Sequence, residues 1–112
     1  MTNRIPWDIY ESALILDTYL RIENGEIVFR EAVSQLSEIL RKKAINAGIE
    51  IDHTYRNKNG IAKQLGCMKY VVTDGKYGFS HTSKMYYEIV HIYKTEHERY
   101  VQILSQAQHM IE

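Results

Sequence analysis

Apolar positions along this chain fall mostly at helical spacing. From Pro6 to Ile22 the residues Trp7, Tyr10, Ala13, Leu14, Tyr19 and Ile22, joined by Ile9, Leu16 and Leu20, cover more than one face. That all-round pattern predicts a central helix with Pro6 in its first turn. Asp8 and Glu11 suit the positive end of its dipole, and Asn24-Gly25 stops it. A narrower stripe of Phe29, Val33, Leu36, Leu40, Ala44 and Ala47 predicts a second helix from about Glu26 to Ala47, ended by Gly48. Residues 49–60 are polar and turn-forming and read as a loop. A third, short helix starts near Asn57 or Asn59 and reaches Met68, with Ile61, Leu65 and Met68 on one face.

The period then changes. Lys69-Tyr70-Val71-Val72-Thr73 is rich in β-formers, and Asp74-Gly75 suits a two-residue turn before Lys76-Tyr77-Gly78-Phe79. These residues allow a small hairpin, though Gly78 weakens its second arm. Ser80 or Thr82 is placed to cap a fourth helix bearing Met85, Tyr86, Ile89, Val90 and Tyr93. Thr95 and Glu98 have capping-box spacing ahead of a fifth helix with Tyr100, Leu104, Ala107 and Ile111 inward. The pattern predicts a mostly α, compact domain of four to five helices over residues 1–112, with room for one hairpin near 70–79. It is winged-helix-like at most. Its core is expected to join the early and late helices through Trp7, Leu14, Val33, Leu36, Leu40, Ile89 and Leu104.

Composition narrows the class without naming a function. The chain has 112 residues, 45% apolar and 25% charged, which is ordinary for a single soluble domain and excludes a fibre or a wholly disordered chain. Its one cysteine, Cys67, cannot make an internal disulfide, so the fold does not depend on an oxidising compartment. The longest apolar run, Ala13 to Leu16, is too short to span a bilayer, and the first six residues hold no signal-peptide core. A cytoplasmic protein with no membrane contact is expected.

Charge changes the picture more. Lys+Arg and Asp+Glu cancel at 14 each, but residues 1–40 carry a net −4, residues 41–84 a net +6 and residues 85–112 a net −2. The bases of the middle third are Arg41, Lys42, Lys43, Arg56, Lys58, Lys63, Lys69, Lys76 and Lys84. Either this is an unevenly charged surface with no ligand, or these bases form one continuous anion-binding face, since the local field attracts phosphates.

No catalytic chemistry is apparent. His53, His81, His91, His97 and His109 lack i,i+4 pairing and no second cysteine completes a zinc site, so neither metal nor cofactor is expected. Cys67 in a short apolar helix reads as a core residue. Glu50 and Asp52 with Lys58 or Lys63 downstream make the acid-acid-lysine triplet of metal-dependent nucleases, a pattern common by chance in charged loops. No phosphate-binding glycine loop is present. A non-enzyme is expected.

The segment from Tyr55 to Leu65 carries the most information. Asn57, Asn59 and Gly60 can cap a helix whose start is rimmed by Arg56, Lys58 and Lys63, an arrangement that suits anions. Asparagine and glutamine there can also pair with adenine edges, whereas the plainer reading is an ordinary capped helix after a loop. Tyr55, Tyr70 and Tyr77 interleave with the bases, which suits nucleic acid or a protein interface equally.

A family resemblance enters here. Trp7…Glu11…Leu14-Ile15-Leu16-Asp17…Tyr19-Leu20, then Ser34…Leu36-Ser37…Leu40-Arg41, then Arg56-Asn57-x-Asn59-Gly60-Ile61…Gln64-Leu65…Met68, resembles an N-terminal module of Firmicutes proteins. In that family it precedes HNH nuclease, restriction-type or helicase-like domains. The resemblance runs mainly over residues 7–68, with a weaker echo at Ser83…Tyr93, and it implies contact with DNA. No catalytic domain follows in this sequence. The chain is then either an excised module or a free-standing relative, such as a small phage or mobile-element protein that binds DNA or a host defence complex.

Two functions follow as expectations. The first is a non-catalytic DNA-binding module. Arg41, Lys42, Lys43, Arg56, Lys58 and Lys63 would neutralise phosphates, and Asn57, Asn59 and Gln64 would reach base edges. Lys69 would add to the basic face, and Lys76 and Tyr77 would ride on the hairpin. In this reading Arg56 and Lys63 lie off the apolar stripe and are dispensable for packing. The second is a small protein-interaction module or inhibitor that docks on a defence or nuclease complex.

Overall fold

Asp8 opens the first helix of the domain. The computed structural model describes residues 6–112 and places five helices among them: α1 (Ile9–Glu23), α2 (Phe29–Asn46), α3 (Lys58–Val72), α4 (Lys84–Thr95) and α5 (His97–His109). The Glu11 amide donates to the Asp8 carboxylate at 2.7 Å, and the Asp8 amide donates back to Glu11 at 3.4 Å, a reciprocal box that satisfies two orphan donors. Glu11 through Leu16, Thr18 and Tyr19 are buried, so α1 is covered nearly all round. It packs against each of the other four helices.

The other helices contribute one face each. α2 turns Ala32, Val33, Leu36, Leu40 and Ala44 inward, α3 turns Ile61, Leu65, Met68 and Val71, and α4 turns Tyr86, Ile89, Val90 and Ile92. Of the expected core, Leu14, Val33, Leu36, Leu40 and Ile89 are buried, while Trp7 and Leu104 are half-buried against its edge. α4 and α5 are joined by Glu96 alone, and Tyr93 meets Tyr100 edge-on across that corner at 4.9 Å between ring centres.

The ends of three helices share one solution. After α1, α2 and α3 a residue with positive φ (Gly25, Gly48, Asp74) is followed by an amide that reaches back to the first carbonyl of the last turn. At α3 the Gly75 amide donates to the Tyr70 carbonyl at 2.8 Å.

That cap corrects the hairpin expectation. No strand forms among the described residues, and no wing projects from the bundle. Lys69 to Val72 continue α3 by a further turn because Cys67, Met68 and Val71 are buried against the core, and that burial outweighs β-propensity. Asp74-Gly75 ends a helix here rather than turning a ribbon. Other boundaries shift slightly. α1 starts at Ile9 rather than Pro6 and α2 at Phe29 rather than Glu26. Ser83, not Ser80 or Thr82, caps α4 by accepting from the Met85 amide, and no Thr95–Glu98 box forms because Glu96 is the cap position of α5.

One carboxyl is caught in this packing. Burial pushes the Asp17 pKa above its ordinary 3.8, partly offset by Arg21. Burial, then the Asp17 charge, raises the phenol of Tyr100, whose buried hydroxyl has no hydrogen-bond partner among the described residues. A raised carboxyl pKa means the folded state holds this proton more tightly than the unfolded chain. Its contribution to stability is therefore greatest below 3.8 and falls as pH rises through the folded value. Asp17→Asn is expected to raise the urea midpoint near neutral pH and to leave it unchanged in strong acid. Equal midpoints at neutral pH would show that Asp17 is fully hydrated.

Candidate functional site

The loop between α2 and α3 is stitched down by the bases that were candidates for phosphate contact. Arg41 donates to the carbonyls of Tyr55 at 2.6 Å and Asp52 at 3.0 Å, and Ser37 donates to the carbonyl of Arg56 at 2.7 Å. The Asp52 carboxylate accepts from Thr54 and from the Tyr55 amide. The Thr54 hydrogen bonds hold its pKa below the usual carboxylate range. Asp52 is thereby a turn-former inside the loop. Among the described residues no three His, Cys, Asp or Glu come together to hold a metal.

Arg56 is the centre of this arrangement. Its guanidinium meets the Glu11 carboxylate through two contacts, at 2.8 Å and 3.1 Å, with the two side chains only 9% and 4% exposed. It also lies 3.7 Å from the centre of the Trp7 ring and 4.6 Å from that of Tyr55. Burial works against its charge, but hydrogen bonding and charge from Glu11 outweigh it, so the pKa lies above the usual arginine value. Arg56 has a left-handed φ of 46°, a strained conformation for a residue with a side chain, held by contacts at both its carbonyl and its guanidinium. The expectation that Arg56 is dispensable for packing is thus overturned.

Other candidates are also occupied. Lys43 pairs with Asp8 at 3.1 Å. The Asn57 side chain caps α3 by accepting from the Gly60 amide at 2.8 Å, and Gln64 accepts from the Tyr86 hydroxyl at 2.6 Å. Lys69 lies 5.7 Å from the Tyr77 ring. Lys42, Lys58, Asn59, Lys63, Lys76 and Tyr77 remain exposed. Of the 41–84 bases, Arg41, Lys43 and Arg56 thus hold contacts within the fold.

One opening in the surface is mostly apolar. A groove of about 660 Å³ runs between the end of α1, the start of α2 and the exposed side of α3. Tyr19 and Ile22 come from α1, Phe29 from α2, and Ala62, Leu65 and Gly66 from α3. The α3–α4 loop closes one wall with Gly78 and Phe79. That wall depends on two glycines. The Phe79 amide donates to the Gly66 carbonyl at 3.1 Å, and a Cβ on Gly66 would strike the Phe79 ring. A Cβ on Gly78, whose φ is 93°, would strike the Gly66 carbonyl oxygen. Phe29 is 49% exposed and Phe79 53%, so two aromatic rings stay half open to water on one groove.

Nothing in this chain matches a protein-family model, a curated protein or a solved structure. Its geometry therefore carries the functional reading. The groove was not foreseen in the sequence, although a glycine inside a helical stripe was the available signal, since Gly66 marks a close approach. No helix among the described residues is long and apolar enough to cross a membrane.

Proposed function

We propose that this domain is a non-catalytic module that binds another protein through the groove between α1, α2 and α3. The observation that carries this reading is the half-exposed pair Phe29 and Phe79 on an apolar groove of about 660 Å³, within the size range of ligand pockets. Aromatic side chains held on a rigid scaffold are the usual anchors of protein interfaces. The DNA reading loses support from the same geometry. Three of its six phosphate contacts (Arg41, Lys43 and Arg56) and two of its base readers (Asn57 and Gln64) already have partners within the domain.

The test sets the two partners side by side. Peptides selected from a random display library on the wild-type domain are expected to be rich in bulky apolar residues. The double variant Phe29→Asp/Phe79→Asp should bind them about tenfold more weakly or worse, since each exposed ring buries on binding. Both rings are half exposed, and circular dichroism should show the helices retained. A gel-shift affinity for duplex DNA that falls steeply with salt and survives the double variant would place function at Lys58, Asn59 and Lys63 instead.

A further inference from the structure

The groove's length and charge narrow what it takes. Along α3 its lining runs from Ala62 to Lys69, two turns, or about 10 Å at 1.5 Å per residue. That is the distance between residues i and i+7 of another helix, the spacing at which helical ligands seat their apolar anchors. The Phe79 ring lies over Gly66 in the middle of this run and gives the groove an aromatic wall there.

Charge is distributed unequally around the same space. Lys63 and Lys69 line the groove on the α3 side, and neither has a carboxylate partner within 4 Å among the described residues. Glu23 is the single acid among the lining residues. An apolar floor beside two lysines without carboxylate partners among the described residues complements an apolar ligand edged with negative charge, and such a rim sets specificity and encounter rate more than raw affinity.

We propose that the groove receives an amphipathic helix of another protein. That helix presents bulky aliphatic or aromatic side chains to Ile22, Phe29 and Phe79, and Asp or Glu to Lys63 and Lys69. This assignment rests on the protein-binding reading and adds to it the partner's shape and sign. A phosphate backbone has charge without the apolar edge, and so leaves Phe29 and Phe79 wet.

The test uses two labelled synthetic peptides. Each is a helix with leucines at i, i+4 and i+7, and the flanking positions are glutamate in one and lysine in the other. Fluorescence anisotropy against the wild-type domain is expected to favour the glutamate peptide by about tenfold. K63E/K69E should invert that order and K63Q/K69Q should erase it, with helical circular dichroism retained in both. Equal binding of the two peptides, lost in both cases by F79D, would overturn the acidic assignment while leaving the groove reading intact. Failure of both peptides to bind, or binding that F79D does not change, would overturn the two readings together. Self-association of the peptide-free domain that F79D abolishes would assign the groove to a second copy of this chain, and the proposal would fail.

Discussion

Arg56→Ala is expected to destabilise the domain by about 3–5 kcal/mol, the cost of leaving one member of a buried ion pair alone. The partner left behind is Glu11, 3% exposed, which loses two guanidinium contacts. The same residue closes the capping box of α1, so its discomfort is transmitted to the start of the central helix. Urea unfolding followed by far-UV circular dichroism measures this directly. The double variant Glu11→Gln/Arg56→Met should recover part of the loss, because it removes both charges and keeps their volume. A loss below about 1 kcal/mol would place this pair in the energetic class of hydrated surface ion pairs. Arg56→Glu, which sets two carboxylates face to face, should be more damaging than alanine. It is therefore unsuitable as a probe of any ligand.

Leu36→Ala is expected to cost about 2–5 kcal/mol, the range for truncating a large aliphatic side chain in a closed core. Leu36 is 2% exposed and belongs to the apolar cluster shared by all five helices. The urea midpoint should fall with little change in the denaturant slope, since the surface exposed on unfolding is nearly the same. An unchanged midpoint would mean that α2 does not pack through this residue.

These two side chains show what a single sequence discloses. Leu36 was legible because its neighbours repeat at helical spacing, and the same spacing fixed α1, α2 and the inner face of α3. Arg56 was legible as a base but not as a buried one. Its partner Glu11 lies 45 positions earlier, and local pattern has no access to that distance. Residues 69–75 misled for another reason. Tyr70, Val71, Val72 and Thr73 prefer strands in isolation, and Asp74-Gly75 serves helix ends as readily as hairpins. Burial of Val71 against the core decided between them. The groove was hidden because Phe29 shares the helical spacing of the buried α2 positions although it is half exposed, and Phe79 lies in a loop where no periodicity marks it.

The central position of α1 has a consequence for synthesis. Of these five helices α1 leaves the ribosome before the others, its burial needs every later one, and α5 begins only at His97. At about 5–20 residues per second, several seconds pass before that last surface is available. Throughout that interval Leu14, Ile15 and Leu16 have no complete shelter, and for its first part the Glu11 carboxylate waits for Arg56. Local helix formation can proceed as the chain emerges, but the final packing is deferred until α5 has emerged. The nascent chain is thus in most need of protection from aggregation before it acquires its fifth helix.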